Sequence, residues 1–346
     1  MSPEQQQASP CVEGELSPGR HAASLERVLS FTLEQELPGE VVAFKFGGSS
    51  LLGPERLLHA AALVRDTAQA CPVVVVVSAM KGVTDRLLHL ANLFAEGRNG
   101  AARKEAESIV ELHSATLSAL KLSRDDHEPV ARELKLLSND LFHEVPARGR
   151  APVDGASFDR LASFGERFAA RLFAAALLAQ GVAAVPVSAS DFVLTCETFR
   201  NAKPHLGLTR QRGRQVLLPL LQAGIVPVVT GFIGATRDGR ITTLGRNSSD
   251  FSGALIAHVV DAVELVIWTD VDGVYTANPH ESKEARLLHE LSYEEARALA
   301  ASGAKVLHPH VLPLAAQTGM IVWIRNTFNP DARGTRISSE LSGGAA

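Results

Sequence analysis

A lysine and two glycines stand together where the first apolar run of this sequence ends. The residues Val41–Phe46 are apolar apart from Lys45, which is typical of a short buried strand. Gly47 and Gly48 interrupt the run, and Ser49 follows them. Glycines let backbone N–H groups approach an anion closely, and a following helix start would add a favourable dipole. The stretch predicts a phosphate cradle with Lys45 beside it, although a lysine at a strand end before an ordinary turn has the same sequence.

The helix predicted for Arg160–Gln180 carries a carboxylate on its apolar face. On a helical wheel, Glu166 falls beside Ala162 and Phe173. A carboxylate in such a position needs a cationic partner or a polar cavity. Two interpretations follow, which are an ion pair inside the core and recognition of a substrate ammonium group.

An arginine and a carboxylate come just before the helix that is predicted from Phe251. Arg246 has a planar fork of N–H donors that fits a carboxylate. Asp250 stands where a helix start offers N–H groups to anions, and a simple N-cap is an alternative role for it. A cap does not account for Arg246, however. Together with Glu166, Arg246 would suit the carboxylate and ammonium groups of an amino acid.

A second loop of small residues, Ser78–Thr84, follows the continuous apolar run Pro72–Val77. Such a run fits a central parallel strand that is covered on both faces. A helix is predicted from about Asp85. Thr84 therefore stands at an N-cap position, and the sequence alone favours capping as its role.

The strand predicted within Ala262–Gly273 ends in two more polar residues. Thr269 and Asp270 lie at its carboxyl end, where open α/β sheets bind ligands. Lys305 follows a predicted helix stop and adds a second lysine to the set. Two lysines, glycine loops and carboxylates suit phosphoryl transfer from a nucleotide. No Ser–His pair for nucleophilic catalysis is evident, so the protein would chiefly position substrates and neutralise charge.

Strands alternate with helices along most of the chain, and the polar loops follow strand ends. This pattern predicts a three-layer α/β/α sandwich with a mostly parallel central sheet. The segment 201–214 is basic and is predicted to be irregular. A final strand is predicted at 320–325, and the residues after it are predicted to lead into an irregular tail. The expected divisions are a disordered or weakly helical leader at 1–39, a catalytic domain at 40–338 with a helical insertion at about 97–150, and a tail at 339–346.

Composition excludes several classes of protein. The chain has 346 residues, of which 46% are hydrophobic and 21% charged, and its net charge of −4 gives no sign of a nucleic-acid surface. Its apolar runs are too short to span a bilayer. The three cysteines are widely spaced, and His308 and His310 have no third ligand nearby, so no disulfide framework or metal site is indicated. We expect a cytoplasmic protein with no nucleic-acid or membrane partner.

Six segments of the sequence resemble those of the aspartate kinases, within the amino-acid kinase family. Each segment is weak evidence alone, but they occur in family order across about residues 40–338. The segments are Lys45–Ser50 (KFGGSS), Ser78–Thr84, Phe164–Arg167 (FGER), Thr243–Asp250 (TLGRNSSD), Trp268–Tyr275 (WTDVDGVY) and Gly303–Pro309 (GAKVLHP). The resemblance implies transfer of the ATP γ-phosphate to the side-chain carboxylate of L-aspartate. The product would be 4-phospho-L-aspartate, in the first step of the pathway to lysine, threonine and methionine.

The resemblance also implies roles for residues of the glycine turn. Lys45 would stabilise the charge of the transferring phosphoryl group, and Asp250 would orient the lysines and support the loop before its helix. Gly47, Gly48 and Ser49 would hold phosphates. Mg²⁺ would arrive bridged by the phosphates of ATP, with few protein ligands.

Further roles concern the two substrates. By resemblance, Glu166 would bind the ammonium group of L-aspartate and Arg246 its α-carboxylate, with Thr84 and Ser249 assisting. The residues expected to line the nucleotide site are Thr269, Asp270, Tyr275 and Lys305.

Two local departures from the family pattern affect the phosphate and nucleotide sites. Ser49 stands where the family usually has threonine, which keeps the hydroxyl. After Tyr275 the family commonly reads Asp-Pro-Arg, whereas this chain has Asn278-Pro279-His280. One carboxylate and one permanent cation are lost, so we expect weaker or altered nucleotide affinity.

A larger departure concerns regulation. Aspartate kinases usually continue into small ACT domains that bind lysine or threonine, and we expect none here. The expectation is a kinase insensitive to both amino acids, either a short form or one domain of a bifunctional enzyme. The oligomeric state is open, with a homo-oligomer as one outcome. Two other functions stay open, which are a kinase for another amino acid or a carbamate, and a non-catalytic regulatory or binding subunit.

Overall fold

The computed structural model describes residues 39–145, 154–246, 248–277, 282, 284–301 and 307–339, and its strands form one large and two small sheets. In chain order the strands are β1 (Val42–Phe46), β2 (Val73–Val77), β3 (Ala184–Val187), β4 (Val226–Thr230), β5 (Ile233–Ala235), β6 (Ile241–Thr243), β7 (Glu264–Thr269), β8 (Val274–Tyr275), β9 (Leu287–Leu288), β10 (Glu290–Ser292), β11 (Ile321–Asn326) and β12 (Thr335–Ser338). The large sheet has eight strands in the order β10-β12-β11-β7-β1-β2-β4-β3. Its neighbouring strands are parallel except β11 and β12, which are antiparallel.

Strand β1 lies inside the large sheet, between β2 and β7. All of β2 is buried, because a run of valines covered on both faces is what a central parallel strand requires. Side chains of β1 alternate between the two faces: Phe44 and Phe46 join one apolar cluster, and Ala43 joins the other. The sheet therefore separates two hydrophobic cores.

Helices cover both faces of this sheet. Those in the described part of the chain are α1 (Pro54–Ala68), α2 (Val83–Ala95), α3 (Asn99–Ala119), α4 (Arg124–Glu144), α5 (Gly155–Leu178), α6 (Leu206–Gln222), α7 (Ser249–Val259), α8 (Tyr293–Ala301) and α9 (Val311–Thr318). Helices α1 to α5 pack into the first cluster, and α6 to α9 pack into the second. The predicted three-layer α/β/α sandwich with a mostly parallel sheet is confirmed.

Helices α3 and α4 occupy most of the segment where a helical insertion was predicted. Ser123 caps the start of α4, because its hydroxyl accepts the amide of Asp126 at 3.2 Å. Ile109 of α3 and Leu141 of α4 are buried in the same cluster as Phe168 of α5. The predicted end of the insertion lies outside the described residues, as do nearly all of the leader and the tail, so these domain boundaries stay predictions.

Two sequence interpretations were wrong. The segment 201–214, predicted to be irregular, contains the first half of α6. Its glycines obscured the helical period, yet Gly213 is a packing residue, since a Cβ there would lie 2.6 Å from Cγ1 of Val259 on α7. The strand predicted at 320–325 is not the final one, because β12 follows it, a short strand whose buried Thr335 hydroxyl accepts the amide of Val274 at 2.8 Å.

Candidate active site

The loops that follow β1 and β2 line a cleft of about 420 Å³ together with the residues that lead into α7. These loops meet because carboxyl ends of parallel strands lie at the same edge of a sheet. The structure therefore brings together most of the residues predicted to bind the acceptor and the phosphates. The predicted residues that line the cleft are Lys45, Gly47, Gly48, Thr84, Glu166, Arg246 and Ser249.

Lys45 and Asp250 form an ion pair at this cleft. Nζ of Lys45 lies 2.6 Å from Oδ1 of Asp250, and Lys45 is only 6% exposed. Helix α7 can approach Lys45 closely because residue 253 is glycine. A Cβ at that position would lie only 3.0 Å from Cβ of Lys45. Asp250 is inside the first turn of α7, whose N-cap residue is Ser248, so the alternative of a simple N-cap role for Asp250 was wrong. The buried lysine has the anionic partner that its burial requires.

The two glycines after β1 differ in their surroundings. A Cβ on Gly48 would lie 2.6 Å from the carbonyl oxygen of Ala79, so packing demands glycine there. A Cβ on Gly47 would meet its nearest atoms at an ordinary 3.7 Å, so packing does not demand it. The helix start predicted after the glycines is a single 3₁₀ turn, Gly48–Leu51. Ser49 lies in this turn, and its carbonyl oxygen accepts a hydrogen bond from Arg56 at 2.8 Å.

Glu166 is buried on α5 at 3% exposure. Its Oε1 accepts the amide of Ala79 at 3.1 Å, and its Oε2 has no hydrogen-bond partner among the described residues. No ion pair to Glu166 is found in that part of the chain either, which leaves the polar-cavity interpretation. Burial raises the pKa of the Glu166 carboxyl to about 8. A cationic group entering the cleft would find an oxygen that no protein donor uses.

Arg246 and Thr84 lie at the rim of the cleft. The guanidinium of Arg246 is 81% exposed, and its Nη2 is 3.9 Å from Oδ1 of the equally exposed Asp85. Such a loose surface pair is weak, so Arg246 is available to a ligand carboxylate. Thr84 is in the first turn of α2, and Gly82 with φ of 86° is the N-cap residue. The favoured capping role of Thr84 was therefore wrong.

The structure adds site residues that the sequence reasoning did not single out. Lys81 and Asp85 line the cleft, as does Ser248, whose buried hydroxyl has no hydrogen-bond partner among the described residues. The backbone amide of Ala79 is the donor to Glu166. The quoted segments contain Ala79, Lys81 and Ser248, and Asp85 directly follows one of them, but small and polar residues in a loop give no signal about which group faces a ligand.

Of the residues predicted to line the nucleotide site, Thr269, Asp270 and Tyr275 are described, and none of them is in the lining of the cleft. Strand β7 runs next to β1, and the amide of Gly47 donates to the carbonyl oxygen of Trp268 at 3.2 Å. Thr269 and Asp270 follow Trp268 directly, and Tyr275 lies in β8. Lys305 and the segment 278–280 lie outside the described residues. The nucleotide site stays a prediction.

Two kinds of feature concern only the ranges that the structure describes, namely metal-binding clusters and membrane-spanning helices. Within those ranges, no group of three or more His, Cys, Asp or Glu side chains is placed to hold a metal ion. The rings of His308 and His310 lie 5.3 Å apart and pack against Phe251. No helix in the same ranges has the length and apolar character to cross a bilayer.

Comparisons with known proteins place this chain in one family. The chain matches the family model of the amino acid kinase family over residues 40–326. The chain belongs to the amino acid kinase family. Lysine-sensitive aspartokinase 3 of Escherichia coli is 33% identical to it over 302 residues, which are 87% of this chain and 65% of that protein. Aspartokinase 1, chloroplastic, of Arabidopsis thaliana is 32% identical over 88% of this chain and 53% of that protein.

Solved structures agree with this membership. The crystal structure of E. coli aspartokinase III in complex with aspartate and ADP is similar to this fold with a TM-score of 0.76 and 32% sequence identity. The match covers 88% of this chain and 66% of that one. A second structure of the E. coli protein, in complex with lysine and aspartate, gives a TM-score of 0.78 at 31% identity, again over 88% and 66% of the two chains. This chain thus spans just under two thirds of the E. coli relative and about half of the Arabidopsis one. Its expected insensitivity to lysine and threonine and its oligomeric state stay predictions.

Proposed function

We propose that this protein transfers the γ-phosphoryl group of ATP to the side-chain carboxylate of L-aspartate, giving 4-phospho-L-aspartate and ADP. The observation that carries the proposal is the placing of Lys45, Glu166 and Arg246 around one cleft. Relatives named aspartokinases, one of them solved with aspartate and ADP, support it.

Glu166 and Arg246 supply the acceptor end of the cleft. The free Oε2 of Glu166 takes the ammonium group of L-aspartate, and the exposed fork of Arg246 takes its α-carboxylate. The hydroxyls of Thr84 and Ser249, which also line the cleft, assist in binding the amino acid. An α-amino acid held at these two charges leaves its side-chain carboxylate free to react.

Lys45 supplies the charge for the transfer step. An oxygen of the aspartate side chain forms a bond to the γ-phosphorus as the bond from that phosphorus to the β-phosphate oxygen breaks. Negative charge spreads over the equatorial oxygens in this step, and a preorganised cation with little water around it stabilises that charge. Asp250 holds Nζ of Lys45 in place before the substrates bind. No protein nucleophile is needed.

The glycine turn fits a polyphosphate. Packing does not require glycine at position 47, so the space beside it is available for close approach of phosphate oxygens to the backbone. The nucleotide would extend toward Thr269, Asp270 and Tyr275 at the end of β7 and in β8, and toward Lys305. Mg²⁺ bound to the ATP phosphates would neutralise part of their charge.

The test of this function is trapping of the acyl phosphate with hydroxylamine, which yields a coloured hydroxamate. The mixture contains ATP, Mg²⁺ and L-aspartate, and Lys45→Ala is compared with Lys135→Ala, an exposed lysine on α4 outside the cleft. We expect a signal that needs aspartate, persists in the Lys135 variant and is lost in the Lys45 variant.

Other outcomes would replace the proposal. A signal with a different amino acid but not with aspartate would show that the protein is a kinase of this fold with another acceptor substrate. Binding of aspartate without turnover under any condition would identify a regulatory or binding subunit. A Lys45→Ala variant with full activity would remove Lys45 from the chemistry.

A further inference from the structure

Asp159 is a buried carboxylate that the proposed chemistry does not use. It lies on α5, about two helical turns before Glu166, and is 1% exposed. Its Oδ2 accepts the amides of Arg200 and Thr243, each at 2.8 Å, and its Oδ1 accepts the hydroxyl of Thr243 at 2.9 Å. One side chain thus fixes two backbone segments that are distant in sequence.

The anchored segments hold the loop that carries Arg246. Thr243 is the last residue of β6, and its carbonyl oxygen accepts the amide of Ala202 at 2.8 Å. Gly245 has φ of 95°, and a Cβ there would lie 2.7 Å from Oδ1 of Asn201. The turn at 200–202 therefore packs directly against the backbone next to Arg246.

The same helix also holds the loop after β2, which lines the cleft. Glu166 accepts the amide of Ala79, and a Cβ on Gly165 would lie only 2.7 Å from Cβ of Ala79. Helix α5 is thus in tight contact with the loop after β2 at Glu166, and with the loop after β6 at Asp159. An α-helix keeps residues on one face at a fixed separation.

We propose that Asp159 is a positioning residue that sets the place of Arg246 relative to Glu166, and so determines the affinity of the cleft for an α-amino acid. The inference rests on the proposed function, because Glu166 and Arg246 are the groups that bind the amino acid there. Asp159 acts through Thr243 and the turn at 200–202 and touches neither substrate.

Three variants test this role by the dissociation constants and KM values of L-aspartate and of ATP. Asp159→Ala removes all three hydrogen bonds. Asp159→Asn keeps them, since its carbonyl oxygen can accept both amides and its NH₂ group can donate to the hydroxyl of Thr243. Asp154→Ala is the matched control, because it removes the N-cap of the same helix, where Asp154 accepts the amide of Ser157 at 2.8 Å, without touching Thr243.

We expect Asp159→Ala to raise the aspartate KM and dissociation constant by about 10- to 100-fold, since small misplacements of binding groups have effects of this order. The values for ATP should change less than about twofold, and Asp159→Asn should restore the aspartate values. Asp154→Ala should lower the melting temperature and leave both substrates unaffected. The proposal would be overturned if Asp159→Ala weakened the binding of ATP as much as that of aspartate, or if it left aspartate binding unchanged. It would also be overturned if Asp159→Asn bound aspartate as weakly as Asp159→Ala.

Hydrogen exchange provides a readout that does not depend on activity. In Asp159→Ala the amides of Arg200 and Thr243 should exchange faster, while the amide of Ala79 is unchanged; unchanged exchange at Thr243 would contradict the anchoring. If the alanine variant does not fold, Thr243→Val removes only the hydroxyl bond and should weaken aspartate binding, with Thr243→Ser as the rescue. A wild type that binds no aspartate would instead overturn the proposed function.

Discussion

Lys45 on the inner strand β1 and Asp250 on the first turn of α7 lie in contact, with Nζ and Oδ1 2.6 Å apart. The pair joins the sheet to the helix that covers it. Because the lysine is almost fully buried, its charge would be uncompensated without Asp250. The pair therefore contributes both to folding and to the position of the cation in the cleft.

Replacement of Asp250 should show both contributions. We expect Asp250→Asn to lower kcat by about 100-fold, because Lys45 loses its fixed position, and to reduce the free energy of unfolding by about 3 kcal/mol. Denaturant unfolding and steady-state kinetics measure the two effects. Asp66→Asn, which breaks an exposed pair with Arg65, is the control and should change neither appreciably. Unchanged kcat in Asp250→Asn would contradict the role given to the pair.

The pH dependence of aspartate binding should report on Glu166. Burial raises the pKa of this carboxyl to about 8, so the free protein carries it protonated at neutral pH. Pairing with a substrate ammonium group requires the charged form, so binding releases a proton. The aspartate KM should fall by about tenfold per pH unit between pH 6 and pH 7.5. In Glu166→Gln the KM should be high and independent of pH; a pH-independent wild type would contradict this.

The same group has a consequence for stability. Its pKa in the fold is above that of an unfolded glutamate, so its stabilising contribution is fully present below pH 4.5 and is lost as the pH rises through 8. Glu166→Gln should therefore unfold at a higher denaturant concentration than the wild type at pH 9, without substrate. A lower midpoint for the variant at that pH would contradict the protonated state.

Gly47 and Gly48 should respond differently to alanine. Gly48→Ala places a methyl group against the backbone of Ala79, and we expect a loss of about 1–3 kcal/mol in the free energy of unfolding. Gly47→Ala has room in the protein and should fold normally, yet its methyl group would occupy space needed by phosphates and raise the ATP KM. Urea unfolding and ATP kinetics of the two variants check this. A normal ATP KM in Gly47→Ala would remove residue 47 from the phosphate site.

His113 on α3 should make the protein sensitive to acid. Its Nδ1 donates to the carbonyl oxygen of Ile109 at 2.6 Å, its ring stacks on Phe168, and burial lowers its pKa to about 4. An unfolded histidine titrates near 6.5, so the stability it contributes is present above that pH and lost as the pH falls toward 4. We expect about 2 kcal/mol of loss between pH 7 and pH 5 from this group.

The variant His113→Phe isolates that contribution. It keeps an aromatic ring and should remove this part of the pH dependence, measured as the free energy of unfolding by urea at the two pH values. His143→Phe, at an exposed histidine on α4, should leave the pH dependence as in the wild type. If the free energy of unfolding changed equally between the two pH values in His113→Phe and in the wild type, the buried neutral state of His113 would be contradicted.

The sequence revealed those site residues that conflict with their surroundings. Lys45 interrupts an apolar run and Glu166 interrupts an apolar helix face, and both lie at the cleft. Arg246 was singled out because an N-cap role for Asp250 gives no reason for an arginine close to it. The alternation of strands and helices gave the fold class, since a continuous β-branched run such as Val73–Val77 is typical of a central parallel strand.

Other features depend on contacts that no local pattern contains. Asp159 looks like an ordinary polar helix residue until Arg200 and Thr243 are placed beside it. Helix α6 was missed because its glycines obscured the helical period, although one of them, Gly213, serves packing against α7. Strand β12 was missed because four residues are too few to show a clear period. The cap at Gly82 depends on a positive φ that the sequence of the loop does not specify.

The position of β1 inside the sheet affects how the chain folds during its synthesis. One of its neighbours, β2, follows soon after it, but the other, β7, comes from far along the sequence, and Lys45 is paired there with Ile267. During synthesis the edge of β1 that will meet β7 stays without its hydrogen-bond partner until most of the protein has left the ribosome. An open parallel edge rich in apolar side chains is a hazard for aggregation. The partly made chain should therefore depend on chaperones until β7 is complete.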